Sequence, residues 1–277
     1  MTNAPSPEKF IGRQRELDQF SDSLNRFNRI GRLRERLPGQ RRKPARVFLP
    51  HGIGGIGKTW LSQQCLKLAR AKGWKTIELD WARVNLRPTA PLDLMNVIAE
   101  DLRDQYKDKI VSDYLKARGR ALQARRKVDR VRAENQQKWQ ELVGSTRDLA
   151  EEWVGGVKGK ATGFLLGAGG AVVGAGASSL AHAEEIFLDW AVERGELERD
   201  DVLLYREGDD RLADRLAKAL IKAAHKKSLV VLFDSCEELS VELEEWLRDA
   251  IVCPAVREQA PLLFIVAFPW RLVAGAR

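Results

Sequence analysis

The sequence predicts an α/β fold in which a parallel β-sheet is flanked by helices and interrupted by a helical, glycine-rich insertion. Three observations lead there. Short apolar runs alternate with segments of helical periodicity, the pattern of βα units. One run, Ser228–Phe233, is almost continuously apolar, as a strand covered on both faces must be, and it ends at Asp234. Finally, about 175 residues separate Thr59 from Asp234, where short connections would need roughly 70–90.

Each element follows from local pattern. Leu17, Phe20, Leu24 and Phe27 recur at helical spacing and predict a first helix, which ends before a joint at Leu37–Arg46 carrying Pro38, Gly39 and Pro44. Arg46–Leu49 reads as a short strand running into a glycine-rich loop. A helix over Thr59–Lys72 places Leu61, Cys65, Leu68 and Ala69 on one face, and Gly73 stops it. Thr76–Trp81 is a second strand and Pro91–Leu102 a further helix. From Leu102 to Trp153 the chain is charge-rich and proline-free, which predicts one or two long helices, and Gly155–Ala183 is rich in Gly and Ala. Helices are expected over Glu184–Glu196, Asp210–Lys226 and Val241–Ile251, with a last strand over Pro261–Phe268.

Composition narrows the function classes. An apolar content of 44% in 277 residues supports a sizeable core, and a net charge of +8 favours an anionic partner without choosing among nucleotide, nucleic acid and lipid headgroup. Cys65, Cys236 and Cys253 are scattered and odd in number, which speaks against a disulfide framework or a zinc site. The start, MTNAPSPEKF, has no charged segment followed by an apolar one, so a cytoplasmic location is expected.

The loop is the most specific signal. Gly52-Ile53-Gly54-Gly55-Ile56-Gly57-Lys58-Thr59 satisfies G-x-x-x-x-G-K-[ST] between a strand and a helix, the context a P-loop requires. Its glycines let backbone N–H groups turn inward around phosphate oxygens, and the helix that follows presents its positive end to them. Lys58 would reach the β- and γ-phosphates, and the Thr59 hydroxyl would ligate Mg2+. Asp234, at the C-terminal end of its strand, stands where open α/β sheets hold ligands. It either holds Mg2+ through water or caps the next helix. Glu237 or Glu238 would polarise the attacking water, unless they are simply the acidic residues that favour any helix start.

With these residues in place the chain resembles the STAND-type P-loop ATPases, the group that includes NACHT and NB-ARC signalling ATPases and is related to AAA+ proteins. Phe10-Ile11-Gly12-Arg13-Gln14-Arg15-Glu16-Leu17 is similar to the family's hhGRxxEL box on the adenine side of the nucleotide. The loop has the GxGGxGKT form, and Phe233-Asp234-Ser235-Cys236-Glu237 resembles an FDxxE Walker B variant. The resemblance covers about residues 8–100 and 185–270. It implies a three-layer P-loop sandwich of the ASCE type, with one extra strand between the Walker A and Walker B strands. It further implies ATP as ligand, slow or trigger-dependent hydrolysis, and a change between closed and open states that are often homo-oligomeric. The implied setting is signal transduction or prokaryotic antiviral defence. The nucleotide-binding set is then Gly12, Arg13, Gly52, Gly54, Gly55, Gly57, Lys58, Thr59, Trp60 and Arg271; Lys58, Asp234 and Glu237 are catalytic, and Thr59 and Asp234 bind the metal. One departure is that Phe268-Pro269-Trp270-Arg271 stands where a Gly-Arg pair usually follows the sensor strand, so Arg271 is the candidate γ-phosphate sensor. The chain also stops at Arg277, before the helical lid of such proteins, and is expected to be part of a longer protein.

The expected organisation is an N-terminal helical segment (1–45), a core (46–102 and 184–277) and an insertion (103–183). The first half of the insertion carries Lys116, Arg118, Arg120, Arg125, Arg126, Lys127, Arg130 and Arg132, either a solvated helix surface or a contact for nucleic acid or an acidic protein. Residues 161–183 are almost uncharged, with Gly163/Gly167 and Gly170/Gly174 at small-xxx-small spacing. They read as a glycine-rich connector or as a membrane-active, self-associating element. Two rivals to the switch therefore stand: a nucleic-acid-binding module with a regulatory ATP site, and a membrane effector.

Overall fold

The computed structural model describes residues 13–33, 46–52, 57–82, 88–145, 171–258 and 260–269. The chain divides into two compact units, Met1–Ala117 with Asp209–Arg277, and Arg118–Gly208.

The first unit is mixed α/β, built on a small parallel sheet. Its strands are β1 (Val47–Phe48), β3 (Lys75–Asp80), β4 (Leu229–Asp234) and β5 (Leu262–Val266), in the spatial order β1-β5-β4-β3. A second parallel pair, β2 (His51–Gly52) with β6 (Phe268–Pro269), lies further along the same two chain segments. β5 therefore separates the strand that enters the glycine loop from the strand that ends in Asp234. All six residues of β4 are buried, the consequence of a central strand covered on both faces.

On one face, α1 (Gln14–Leu33) contributes Phe20, Leu24 and Phe27, and α2 (Lys58–Ala71) contributes Leu61, Cys65, Leu66 and Ala69. They pack on Val230 and Leu232 of β4 and Leu263 and Ile265 of β5, the alternate residues that a pleated strand turns to one side. The residues between them turn to the other face, where Phe233 stacks between Trp81 and Phe264, with ring centroids 6.2 and 6.0 Å away. α3 (Pro91–Tyr106) packs on β3 through a buried stripe of Leu94, Met95, Ile98, Ala99 and Leu102. The unit also holds the first turns of α4 (Asp108–Glu134) and nearly all of α8 (Gly208–Lys226).

Helix ends follow their residues. α2 starts after Gly57, whose φ of 84° is left-handed, and stops at Gly73, φ 78°, where the Gly73 and Trp74 N–H groups donate to Arg70 and Ala69. Ser240 caps α9 (Val241–Trp246) by accepting from the Leu243 N–H at 3.3 Å. The helix expected over Val241–Ile251 instead widens into a π turn at Leu247–Val252 and re-forms as α10 (Cys253–Arg257). The wide turn precedes Pro254, which has no N–H to continue the regular ladder.

The second unit is helical: the rest of α4, α5 (136–145), α6 (Ala171–Glu193) and α7 (Arg199–Arg206). α6 begins before the expected Glu184, and α7 was not anticipated from the pattern. Val128, Val131, Phe187, Leu188, Ala191, Leu197 and Val202 form its core, with Trp139, Trp190 and Tyr205 packed around them. Arg132 lies over the Trp139 ring at 4.7 Å and bonds to Glu184 and Tyr205. Among the described residues no helix is long and apolar enough to cross a membrane. Of the uncharged stretch 161–183, residues 161–170 lie outside the described ones.

Candidate functional site

The site is built where α2 begins and β4 ends. Gly57 in its left-handed conformation turns the chain from the loop into α2, so that Lys58 and Thr59 form its first turn. The Thr59 hydroxyl donates to Asp234 Oδ1 at 3.3 Å. Asp234 is only 3% exposed, and the same Oδ1 accepts the Ser235 N–H at 3.0 Å. Its other oxygen, Oδ2, is buried with no hydrogen-bond partner. Burial raises the Asp234 pKa, and the nearby charges of Asp80 and Glu237 act in the same direction; the Ser235 and Thr59 hydrogen bonds oppose them. An unpartnered carboxylate oxygen in a buried position is costly, and a proton or a bound cation would offset that cost.

Asp80 ends β3 in register with Asp234. Its Oδ1 accepts the Ser235 hydroxyl at 2.7 Å and the Ala82 N–H at 3.2 Å. Ser235 itself is left-handed, φ 57°, and is followed by a 3-10 turn, Cys236–Glu238, that carries exposed Glu237 and half-buried Glu238. Among the described residues no three His, Cys, Asp or Glu side chains form a metal cluster. The protein ligands for Mg2+ would thus be the Thr59 hydroxyl and the Asp234 carboxylate, a sparse set of the kind that cation uses with water and phosphate oxygens.

The other expected site residues fall as follows. Arg13 stands at the head of α1, with its guanidinium 3.3 Å from Glu16. Gly52 pairs with Pro269 between β2 and β6. Trp60 packs partly buried against the α1–α2 core. Gly12, Gly54, Gly55 and Arg271 lie outside the described residues. Sequence reasoning missed Asp80 and Ser235, although Asp80 falls within the predicted strand Thr76–Trp81 and ends the observed one in register with Asp234. It also missed Glu244 on α9, 7% exposed, with Oε1 unpartnered. Burial pushes the Glu244 carboxyl up to about 7; Arg248 opposes the shift, while Glu245 and Glu237 add to it.

The basic run of α4 is partly committed within its own unit. Lys127 pairs with Asp201 and Arg132 with Glu184, acids supplied by α7 and α6 and thus distant in sequence. Arg120, Arg126 and Arg130 remain exposed. Comparison with protein-family models, with curated proteins and with solved structures found no match to this chain.

Proposed function

We propose that this chain is an ATP-binding, slowly hydrolysing switch with a P-loop core of the ASCE type, similar to the STAND signalling ATPases. The observation that carries the reading is the hydrogen bond between Thr59 and Asp234 at the carboxyl edge of a parallel sheet. It brings the last residue of the GxGGxGKT loop to the acid that ends the fully buried strand β4. The interposed position of β5 supports the ASCE assignment, and the buried, unpartnered Asp234 Oδ2 supports a cation.

In this reading Gly57 and the first N–H groups of α2 hold the phosphates, and Lys58 supplies a positive charge to them. Thr59 and Asp234 hold Mg2+, which when bound neutralises charge on the β- and γ-phosphate oxygens. Glu237, exposed on the turn after Asp234, takes a proton from the attacking water. Arg13 lies on the adenine side, and exchange of nucleotide shifts the chain towards an oligomer.

The test is binding and turnover of Mg-ATP and Mg-ADP by the purified chain beside Lys58→Ala and Glu237→Gln. Binding should be lost in Lys58→Ala. Glu237→Gln should keep binding and lose turnover. A chain that binds no nucleotide under any condition overturns the proposal.

A further inference from the structure

We propose that Asp80 is a positioning residue for the metal site, acting through Ser235 on Asp234; the inference rests on the nucleotide-binding reading above. Three contacts compose the device. Asp80 and Asp234 are register partners at the ends of adjacent parallel strands, so their backbones are fixed relative to one another by the sheet. The Ser235 hydroxyl donates to Asp80 Oδ1 at 2.7 Å. The Ser235 N–H donates to Asp234 Oδ1 at 3.0 Å.

Ser235 has a left-handed backbone, φ 57°, which a side chain other than glycine adopts only against a steric cost. The bond to Asp80 holds it there. In that conformation its N–H points back at the carboxylate that precedes it and, together with the Thr59 hydroxyl, occupies Oδ1. The consequence is that, of the two carboxylate oxygens, Oδ2 is left without a hydrogen-bond partner, on a residue only 3% exposed. Asp80 thereby fixes which oxygen of Asp234 is presented to a cation. The work is done by an acceptor oxygen: the negative charge of Asp80 adds to burial in raising the Asp234 pKa and so opposes ionisation there.

The experiment measures affinity for a fluorescent ADP analogue over a Mg2+ series and in EDTA, for wild type, Asp80→Ala, Asp80→Asn, Ser235→Ala and the double alanine variant. Loss of one hydrogen bond on a charged acceptor predicts that each alanine raises the half-saturating Mg2+ about tenfold. Affinity in EDTA, which reports the loop and Lys58, should stay within about twofold for the same reason, since neither residue belongs to the loop. Residues acting in series are not additive, so the double variant should be no worse than either single one. Asp80→Asn keeps an acceptor oxygen and should restore the wild-type Mg2+ dependence. Unchanged Mg2+ dependence in a folded Asp80→Ala or Ser235→Ala that still binds ADP overturns the inference. So do additive effects, or failure of Asn to rescue. A wild-type chain that binds no nucleotide would instead sink the underlying reading, which keeps the two failures apart.

Discussion

Thr59 and Asp234 lie 175 residues apart in the chain, yet the hydroxyl of one donates to the carboxylate of the other at 3.3 Å. The bond ties the first turn of α2 to the end of β4. It joins a residue whose backbone is set by Gly57 to one whose carboxylate is held by Ser235. The first side is set by a neighbour in sequence, whereas Ser235 is itself bonded to Asp80 on the adjacent strand.

That contact separates stability from function at Asp234. Burial raises its pKa, so the neutral carboxyl is favoured in the folded chain relative to the unfolded one. Asp234→Asn mimics the neutral form and keeps an acceptor for Thr59 and Ser235. In the absence of nucleotide it should stabilise the chain by about 1 kcal/mol, because it removes a desolvated charge. The same substitution should abolish the Mg2+-dependent part of nucleotide binding. Thermal denaturation with and without Mg-ADP checks both halves; a variant that loses stability in the absence of nucleotide contradicts the reading.

Gly57 and Gly73 make a matched pair at the two ends of α2, with φ of 84° and 78°. Alanine at either position must enter the left-handed region, at a cost of about 1–2 kcal/mol. A Cβ at Gly73 meets nothing within 4 Å, so backbone strain is its whole effect. Gly57→Ala and Gly73→Ala should therefore lower stability similarly, while only Gly57→Ala weakens nucleotide binding. Equal binding by the two variants would show that the turn at Gly57 does not shape a phosphate site.

Much of this architecture is legible in the sequence because it is local. The apolar run before Asp234 has the length and branched residues of a doubly covered strand, which it forms, and Phe20, Leu24 and Phe27 fall on one helical face that the fold buries. What escapes is whatever depends on strand order or on packing partners. Asp80 becomes important only because β3 lies beside β4, which no spacing announces. The boundary of the helical unit, expected at 103 and 183, falls at Arg118 and Gly208 for a related reason. α4 keeps one periodicity throughout. Yet Tyr114 bonds to Asn96 of the first unit at 3.1 Å, whereas Val128 and Val131 belong to the core of the second. The acids that meet Lys127 and Arg132 likewise come from other helices.

Within the helical unit, the two ion pairs of α4 should differ in worth. Arg132 bonds to Glu184 and Tyr205 and covers the Trp139 ring, with 24% of its side chain exposed. Lys127 pairs with Asp201 and is 38% exposed. Arg132→Met should cost roughly 1–3 kcal/mol, whereas Lys127→Met should cost about 0–1 kcal/mol. Urea denaturation followed by tryptophan fluorescence reads the difference. Equal costs would mean that the stacked guanidinium adds nothing beyond a surface pair.

Glu244 gives the fold a definite pH dependence. Its carboxyl is pushed from 4.5 up to about 7, chiefly by burial. Between those values the folded chain holds a proton that the unfolded chain has released, so stability falls as pH rises through the window and is level above it. The full effect of such a shift is at most about 3 kcal/mol. Glu244→Gln keeps the neutral shape and should remove this part of the slope, leaving the variant more stable than wild type at pH 8 and little different at pH 4.5. Unfolding free energies across pH 4.5–8 decide it. A slope of the same size in both proteins would place the titrating group elsewhere. If the slope does belong to Glu244, the charge of Glu237 should contribute to it, since it adds to the raised pKa. Glu237→Gln should then shift the Glu244 transition to lower pH, linking the turn after Asp234 to the helix that follows it in the chain.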